Sequence, residues 1–177
     1  MWFESGFGGG EHLAAQAEAH PQIGFIGAEP FVNGQASLAA AVEARGLANV
    51  RIWPEDGAAL LDALADRSIG RTFLLFPDPW PKTRHHKRRF VTAATVAQFA
   101  RVLQDGAELR MATDDHDYAA WMLFHVLADP AFAWTARGPG DWWARTPDWP
   151  GTRYEAKALE AAKRPIFLRF FRRPRGT

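Results

Sequence analysis

Short apolar runs alternate with helical patterns along the chain, and this alternation restricts the possible folds more than any other feature. The runs are rich in Val, Ile and Phe, and they read "QIGFIGAEP", "VRIWPED", "RTFLLFPD", "ELRMATD" and "RPIFLRFF". Strands separated by helices form parallel sheets that are covered by helices on both faces. We therefore predict an α/β fold with a central, mostly parallel sheet.

The spacing of apolar residues places helices between these strands. It predicts helices over residues 10–20, 34–45, 88–104 and 117–128, each ending near a Gly or a Pro. The first strand is minimal, because only Met1 to Phe3 precede Glu4. A length of 177 residues suits one domain with a sizeable core, which we assign to 1–177.

The composition excludes several classes of protein. No stretch approaches the ~20 apolar residues of a membrane span, and no secretory signal is visible. The absence of cysteine excludes disulfides and thiolate metal sites, and it fits a reducing, cytoplasmic location. The formal charge of +1 is nearly neutral, so a nucleic-acid partner must be argued from where the charge lies. Positive charge concentrates in "KTRHHKRR" and "RFFRRPR".

Five consecutive strands are each followed or closed by an acidic residue. In a parallel sheet of this kind, ligands bind in the crevice beyond the carboxyl ends of the strands. One acid at such a position is usually a helix cap, but five in order are hard to attribute to capping alone. The five residues are Glu4, Glu29, Asp56, Asp78 and Asp114.

The first strand leads into a glycine-rich motif. The motif reads Glu4-x-Gly6-x-Gly8-x-Gly10. Such glycines allow a tight turn and a close approach of a nucleotide to the backbone, although a turn without a ligand can have the same composition. Glu29, about 20 residues later, can accept both hydroxyls of a ribose. A dehydrogenase would share these two features, but it would not need Asp56, which can accept from an adenine amino group.

The most unusual stretch is "FPDPWPKTRHHKRRF", residues 76–90. Asp78 lies between Pro77 and Pro79, which fix φ and make the corner stiff, so its carboxylate is our candidate catalytic group. The alternative is a rigid turn in which Asp78 accepts from local backbone amides.

The basic residues that follow this corner can neutralise phosphates, although charge runs are usually solvated. At the start of a predicted helix they would oppose the helix dipole, which favours a functional role. His85 and His86 are interpreted as surface or RNA-facing residues, because nothing around them has metal-ligand spacing.

Taken together, "GFGGGEHL", "GAEPF", "FPDPWPK", "RHHKRRF", "ATD" and "TRYEAKAL" resemble the bacterial tRNA (guanine-N7)-methyltransferases. The motifs run in order from Glu4 to Leu159. The resemblance implies a Rossmann-like class I methyltransferase fold with an antiparallel C-terminal strand. It also implies methyl transfer from S-adenosyl-L-methionine to N7 of the variable-loop guanine in tRNA, without a metal or a membrane, by a monomer or weak homodimer.

The motifs and the resemblance together give a set of expected site residues. Those expected to bind the cofactor are Glu4, Gly6, Gly8, Gly10, Glu29, Asp56 and Asp78. Those expected to bind the substrate are Lys82, Asp114, Thr152, Arg153, Tyr154 and Glu155. Those expected to contact RNA are Arg84, His85, His86, Lys87, Arg88 and Arg89.

Two departures from the family pattern are visible. Family members carry a basic segment before the glycine motif, so we expect this chain to be an N-terminally short form. Ser5 stands where the family prefers an aliphatic residue. Two other functions therefore stay open: a methyltransferase for another acceptor, and a non-catalytic RNA-binding module with a degenerate methyltransferase fold.

The long loop near the C-terminus contains residues with more than one interpretation. Thr152 and Glu155 have the spacing of a capping box for a helix over "RYEAKALEAAK". Trp142, Trp143 and Trp149 could stack on bases, but core packing or loop anchoring is favoured for at least two of them.

Overall fold

The computed structural model describes residues 1–176, which form a seven-stranded sheet flanked by helices. The strands are β1 Trp2–Ser5, β2 Phe25–Ala28, β3 Val50–Trp53, β4 Ile69–Leu75, β5 Leu103–Thr113, β6 Phe132–Trp134 and β7 Ile166–Arg172. The helices are α1 Glu11–Ala19, α2 Val32–Arg45, α3 Gly57–Ala63, α4 Ala93–Val102, α5 His116–Ala128, α6 Gly140–Trp143 and α7 Arg153–Glu160. A 3₁₀ helix, Thr83–Arg88, precedes α4.

The strand order is β3-β2-β1-β4-β5-β7-β6. Strands β1 to β5 pair in parallel, whereas β7 lies antiparallel between β5 and β6. The predicted mostly parallel sheet with an antiparallel C-terminal strand is therefore confirmed. The chain runs from β1 outwards to β3 and then returns to the other side of β1 as β4. This reversal between β1 and β4 opens a crevice at the carboxyl ends of the strands.

Alternating side chains of the strands divide the apolar core between the two faces of the sheet. On β2, Phe25 packs with Leu13 of α1 and Leu38 of α2, whereas Ile26 packs with the cluster that contains residues of α3, α4 and α5. Successive residues of a strand point to opposite faces, so α1 and α2 cover one face and α3 to α5 cover the other. None of the helices within residues 1–176 combines the length and apolar character needed to cross a bilayer.

The helix predicted over residues 88–104 is wrong at both ends. Helix α4 begins at Ala93, because Thr92 caps it by accepting a hydrogen bond from Thr95 N at 3.2 Å. It ends at Val102, and Leu103 starts β5 by pairing with Ile69. The basic residues form the separate 3₁₀ helix, so the argument from the dipole of α4 does not apply to them.

Three elements, α3, β6 and the four-residue helix α6, were not predicted. Helix α3 follows Asp56 directly, and its seven residues are too few to give a clear helical period. Strand β6 has three residues at the edge of the sheet, where Ala133 pairs with Phe171 of β7. A strand of this length shows no alternation from which it could be predicted.

Candidate active site

A cavity of about 690 Å³ lies at the carboxyl ends of the strands, where the sheet reverses its order. The glycine motif, the end of β2, the start of α3, the proline-rich corner and the start of α7 all border it. Nine of the residues expected from the sequence line it: Gly6, Gly8, Glu29, Asp56, Asp78, Arg88, Arg89, Arg153 and Tyr154. The fold thus collects segments from residue 6 to residue 154 around one space.

The glycine loop is held in place by Glu29. Gly6 and Gly8 have φ of 68° and 57°, a region that favours glycine. Gly8 N donates to Glu29 Oε2 at 2.8 Å, and Phe31 N donates to Glu29 Oε1 at 3.0 Å. Glu29 is 4% exposed but still borders the cavity. Each carboxylate oxygen has two lone pairs, so Glu29 keeps acceptor capacity for the hydroxyls of a ligand.

Two of the predicted cofactor residues, Glu4 and Gly10, lie outside the cavity lining. Gly10 has φ of 80°, and a Cβ on it would lie 2.7 Å from Leu38 Cβ, so this glycine lets α1 and α2 pack closely. Glu4 is buried, and its Oε2 lies 2.7 Å from His12 Nδ1. Glu4 therefore contacts the start of α1 through His12, a residue that was not predicted although it lies two positions after Gly10.

Asp56 both caps α3 and lines the cavity. Its Oδ1 accepts a hydrogen bond from Ala58 N at 2.7 Å, which caps α3. The same residue lines the cavity, and Gly57 after it packs so tightly that a Cβ there would lie 2.2 Å from Ser5 Oγ. Capping fixes the position of this carboxylate without removing it from the cavity wall.

The corner around Asp78 is strained and held from two sides. Phe76 and Trp80 have φ of 52° and 45°, a conformation that costs roughly 1–3 kcal/mol for each non-glycine residue. Phe76 N donates to Ala112 O at 2.7 Å, and Arg89 Nε donates to Pro79 O at 2.8 Å. Asp78 itself is exposed and has no hydrogen bond or ion pair to any residue of 1–176. The alternative in which it satisfies local amides is therefore wrong, and its carboxylate faces the cavity free of protein partners.

The start of α7 reaches across the cavity to the glycine loop. Tyr154 Cε2 lies 3.1 Å from the position of a Cβ on Gly8. Thr152 Oγ1 caps α7 by accepting from Glu155 N at 3.1 Å, but the Glu155 carboxylate accepts from Arg145 Nε at 3.0 Å. The predicted capping box is thus only half formed, because the Glu155 side chain binds Arg145 and not the backbone amide of Thr152.

Comparison with known proteins agrees with this geometry. Residues 1–168 match the family described as "Putative methyltransferase". A tRNA (guanine-N(7)-)-methyltransferase of Rhodospirillum rubrum is 54% identical over 176 residues, which cover 99% of this chain and 69% of the relative. An enzyme of the same name from Mesorhizobium japonicum is 52% identical over 170 residues, which cover 96% of this chain and 73% of the relative. The chain belongs to the tRNA (guanine-N(7)-)-methyltransferase family.

Solved structures of other methyltransferases share the fold of this family member. An rRNA methylase from Streptococcus thermophilus superposes with a TM-score of 0.64 at 11% identity, covering 98% of this chain and 86% of the other. An SAM-dependent O-methyltransferase from Thermotoga maritima superposes with a TM-score of 0.63 at 12% identity, covering 99% of this chain and 60% of the other. At these identities the likeness concerns the fold alone, and it confirms the Rossmann-like methyltransferase architecture.

The basic run of this methyltransferase separates into exposed and buried side chains. Lys82, Arg84 and Lys87 are exposed and lie outside the cavity lining. Arg88 is exposed too, but its guanidinium stacks over the Trp80 ring at 4.1 Å. Arg89 is 2% exposed, which corrects the expectation that it contacts RNA: its side chain turns inwards, onto the corner.

The two histidines of the run contact aromatic rings. The ring centre of His85 lies 5.9 Å from that of Trp80, and the ring centre of His86 lies 5.5 Å from that of Trp121. Both histidines are half-buried. Within residues 1–176, no three His, Asp or Glu side chains are grouped so that they could hold a metal ion.

Two predicted substrate residues lie outside the cavity lining for identifiable reasons. Asp114 Oδ2 accepts from Lys163 Nζ at 2.6 Å, so this acid ties the end of β5 to the segment after α7. Thr152 is occupied as the cap of α7. Lys82 and Glu155 are likewise absent from the lining.

A partly buried ionic cluster supports the loop that precedes α7. Glu108 Oε2 accepts from Arg110 Nη2 at 2.7 Å, and Asp148 Oδ2 accepts from the same nitrogen at 2.7 Å. Burial alone would raise the pKa of Asp148. The hydrogen bond from Arg110 and the positive charges of Arg110 and Arg71 outweigh burial and hold that pKa well below its usual range.

The tryptophans of this loop have packing roles. Trp149 is 1% exposed and lies edge-on to Phe167 at 5.3 Å. Trp142 and Trp143 pack against the main core, and Trp142 lies 5.3 Å from Trp134. The interpretation that at least two of the three serve packing is confirmed.

Proposed function

We propose that this chain transfers a methyl group from S-adenosyl-L-methionine to N7 of the variable-loop guanine in tRNA. One observation carries the proposal: the Asp78 carboxylate stands on a held corner at a cavity of nucleotide size, with exposed cations directly after it in the chain. Relatives at 54% and 52% identity are named tRNA (guanine-N(7)-)-methyltransferase. The basic run beside the acidic corner favours a nucleic-acid acceptor over a protein side chain or a small amine.

The residues of the cavity fit the cofactor. Gly34 allows the glycine loop to lie close against the start of α2, because a Cβ on Gly34 would lie 2.3 Å from Gly8 O. Glu29, oriented by two backbone amides, would accept the ribose hydroxyls, and Asp56 at the start of α3 would accept from the adenine amino group. S-adenosyl-L-methionine would supply the methyl group from its sulfonium.

The acceptor chemistry explains why the site needs no strong base. Guanine N7 has a free lone pair, so its bond to the methyl carbon forms while the carbon–sulfur bond breaks and its electron pair goes to sulfur. No proton has to leave before the attack. Positive charge appears on the guanine ring, and the preorganised carboxylate of Asp78 would stabilise it.

The exposed cations have a separate task in this proposal. Lys82, Arg84 and Lys87 would contact backbone phosphates, which positions tRNA without reading its sequence. Arg153 and Tyr154 line the cavity opposite the corner, where they would contact the substrate nucleotide.

The decisive experiment incubates the protein with methyl-labelled S-adenosyl-L-methionine and tRNA, and then identifies the labelled nucleoside. We expect 7-methylguanosine, and no label in a tRNA that differs only by an adenine at the variable-loop guanine. The same tRNA with 7-deazaguanosine at this position tests the acceptor atom directly, because N7 is replaced by carbon. Label in protein or amines instead would support another acceptor, and tRNA binding without cofactor binding would support a non-catalytic module.

A further inference from the structure

Arg89 differs from the other cations of the basic run in that all its contacts are inside the protein. Its side chain is fully buried, whereas Arg84, Lys87 and Arg88 are exposed. Nε donates to Pro79 O at 2.8 Å, and Nη2 donates to Asp117 Oδ2 of α5. The guanidinium thus joins the residue after Asp78 to helix α5.

Aromatic rings complete the enclosure of this cation. The guanidinium carbon of Arg89 lies 5.0 Å from the Tyr118 ring centre and 4.9 Å from that of Trp121. Trp121 Nε1 donates in turn to Val91 O at 2.7 Å, which fixes the chain just after Arg89. The remaining nitrogen, Nη1, is buried without a hydrogen-bond partner in residues 1–176. Burying an incompletely paired cation is costly, so this arrangement is a poor device for stability alone.

The corner around Asp78 needs contacts that hold its strained backbone in place. Phe76 and Trp80 are both held at positive φ, and strained residues persist only where their surroundings fix them. On the Phe76 side, the amide bonds to Ala112 O of the sheet. On the Trp80 side, Arg89 donates a hydrogen bond to Pro79 O. The guanidinium of Arg88 also stacks on the Trp80 ring.

We propose that Arg89 is a positioning residue for methyl transfer, which fixes the Asp78 carboxylate by donating to Pro79 O while Asp117 of helix α5 holds its guanidinium. This inference rests on the proposed function, and it replaces the expected role of Arg89 in contacting RNA. It assigns separate tasks to neighbours in one basic run: exposed Lys87 meets phosphate, and buried Arg89 sets the geometry of the acid.

The test compares Arg89→Met and Arg89→Lys with wild type. We expect kcat at saturating tRNA to fall roughly 10- to 100-fold in Arg89→Met, since a displacement of about 1 Å can cost 10²-fold. Arg89→Lys should recover part of this loss, because an ammonium can reach one of the two acceptors but not both. Cofactor affinity and the dependence of tRNA affinity on salt should stay at wild-type values.

Arg101→Met is the matched control for loss of a structural arginine. Arg101 also clamps backbone and carboxylate, donating to Leu64 O, Leu61 O and Asp66 Oδ1 at 2.7 Å each, but it lies outside the cavity lining. Rates are expressed per cofactor-binding site, so that unfolded protein does not count. An equal kcat loss in Arg101→Met and Arg89→Met would reduce Arg89 to a folding role and overturn the proposal.

A double-mutant comparison shows whether Arg89 acts through Asp78. In an Asp78→Ala background, Arg89→Met should lower kcat little further, because the group it positions is already gone. Full additivity overturns the proposal, as does a shallower salt dependence with unchanged kcat. If Arg89→Met does not fold, Asp117→Asn weakens the contact that holds the Arg89 guanidinium and should also lower kcat. An unchanged kcat in Asp117→Asn would likewise overturn the proposal. Wild-type turnover is measured first: its absence refutes the proposed function, whereas normal turnover in the Arg89 variants refutes only this inference.

Discussion

Glu29 and Gly8 are joined by a hydrogen bond of 2.8 Å from Gly8 N to Glu29 Oε2. The end of β2 therefore holds the glycine loop that follows β1, and one carboxylate serves both the shape of the loop and the wall of the cavity. A change at Glu29 should consequently affect cofactor binding twice, by removing an acceptor and by releasing the loop.

We expect Glu29→Ala to weaken S-adenosyl-L-methionine binding by about 1.5–3 kcal/mol, the usual size for a hydrogen bond to a charged group. Isothermal titration calorimetry measures this directly. Glu18→Ala is the control, because Glu18 pairs with Arg45 at 3.2 Å on the surface and is absent from the cavity lining. Unchanged affinity in Glu29→Ala would mean that Glu29 does not contact the ribose.

Gly34→Ala should also weaken cofactor binding, by a different route. Its new Cβ would lie 2.3 Å from Gly8 O and 3.0 Å from Glu29 Cγ, so the loop must shift. Alanine otherwise has a higher helix propensity than glycine, so loss of affinity cannot come from helix propensity. Gly24→Ala, whose Cβ would meet nothing within 4 Å, should bind normally. Equal affinity of the two variants by calorimetry would contradict the close approach.

Asp78→Ala should lower kcat by roughly 10²–10³-fold, the scale of removing one preorganised electrostatic group, while tRNA affinity changes little. Single-turnover methylation of tRNA measures the first quantity and filter binding the second. Asp62→Ala removes an exposed acid of α3 outside the cavity lining and should leave both unchanged. Near-normal turnover of Asp78→Ala would leave Asp78 as a turn residue only.

The sequence predicted those parts of the site that depend on local order along the chain. Strand ends in a parallel sheet share one edge, so Glu29, Asp56 and Asp78 could be placed together from their positions alone. The glycine motif likewise specifies its own turn. These features needed no knowledge of which side chains pack against each other.

The parts that the sequence could not predict depend on contacts distant in the chain. Nothing in "KTRHHKRR" distinguishes Arg89 from Arg88, because burial of Arg89 is decided by Asp117, Tyr118 and Trp121 on another helix. The contact of Glu4 with His12 is local, because His12 lies in the first turn of α1. It was not predicted, although the histidine two positions after Gly10 gave a signal for it.

The ionic cluster beneath the loop predicts a pH-dependent stability. The pKa of Asp148 is held below its usual range, because the hydrogen bond from Arg110 and the charges of Arg110 and Arg71 outweigh the effect of burial. A depressed folded-state pKa gives stabilisation that is complete above the unfolded value of about 3.9 and is lost as pH falls below it. The difference in unfolding free energy between wild type and Asp148→Asn should therefore be largest near neutral pH and shrink at lower pH. Urea unfolding at several pH values measures it, with Asp62→Asn as the exposed control; a constant difference for Asp148→Asn would contradict the assignment.

The exposed part of the basic run should govern how tRNA affinity depends on salt. Arg84 and Lys87 are replaced by alanine together, whereas Arg88 and Arg89 are left in place because they contact the corner. If both residues meet phosphates, the slope of log affinity against log salt should become shallower by roughly one unit for each phosphate that is no longer neutralised, for all tRNAs alike.

The accompanying measurements separate this effect from damage to the site. Cofactor affinity should stay at the wild-type value, because the glycine loop and Glu29 are untouched. Turnover at saturating tRNA should largely recover, since phosphate contacts position the substrate and take no part in the displacement. Arg45→Ala is the control: Arg45 is an exposed cation at the end of α2, and because α2 starts at the cavity edge, this end lies at the opposite edge of the sheet. A folded Arg84→Ala/Lys87→Ala variant whose salt slope equals that of Arg45→Ala and wild type would show that these side chains face solvent in the tRNA complex.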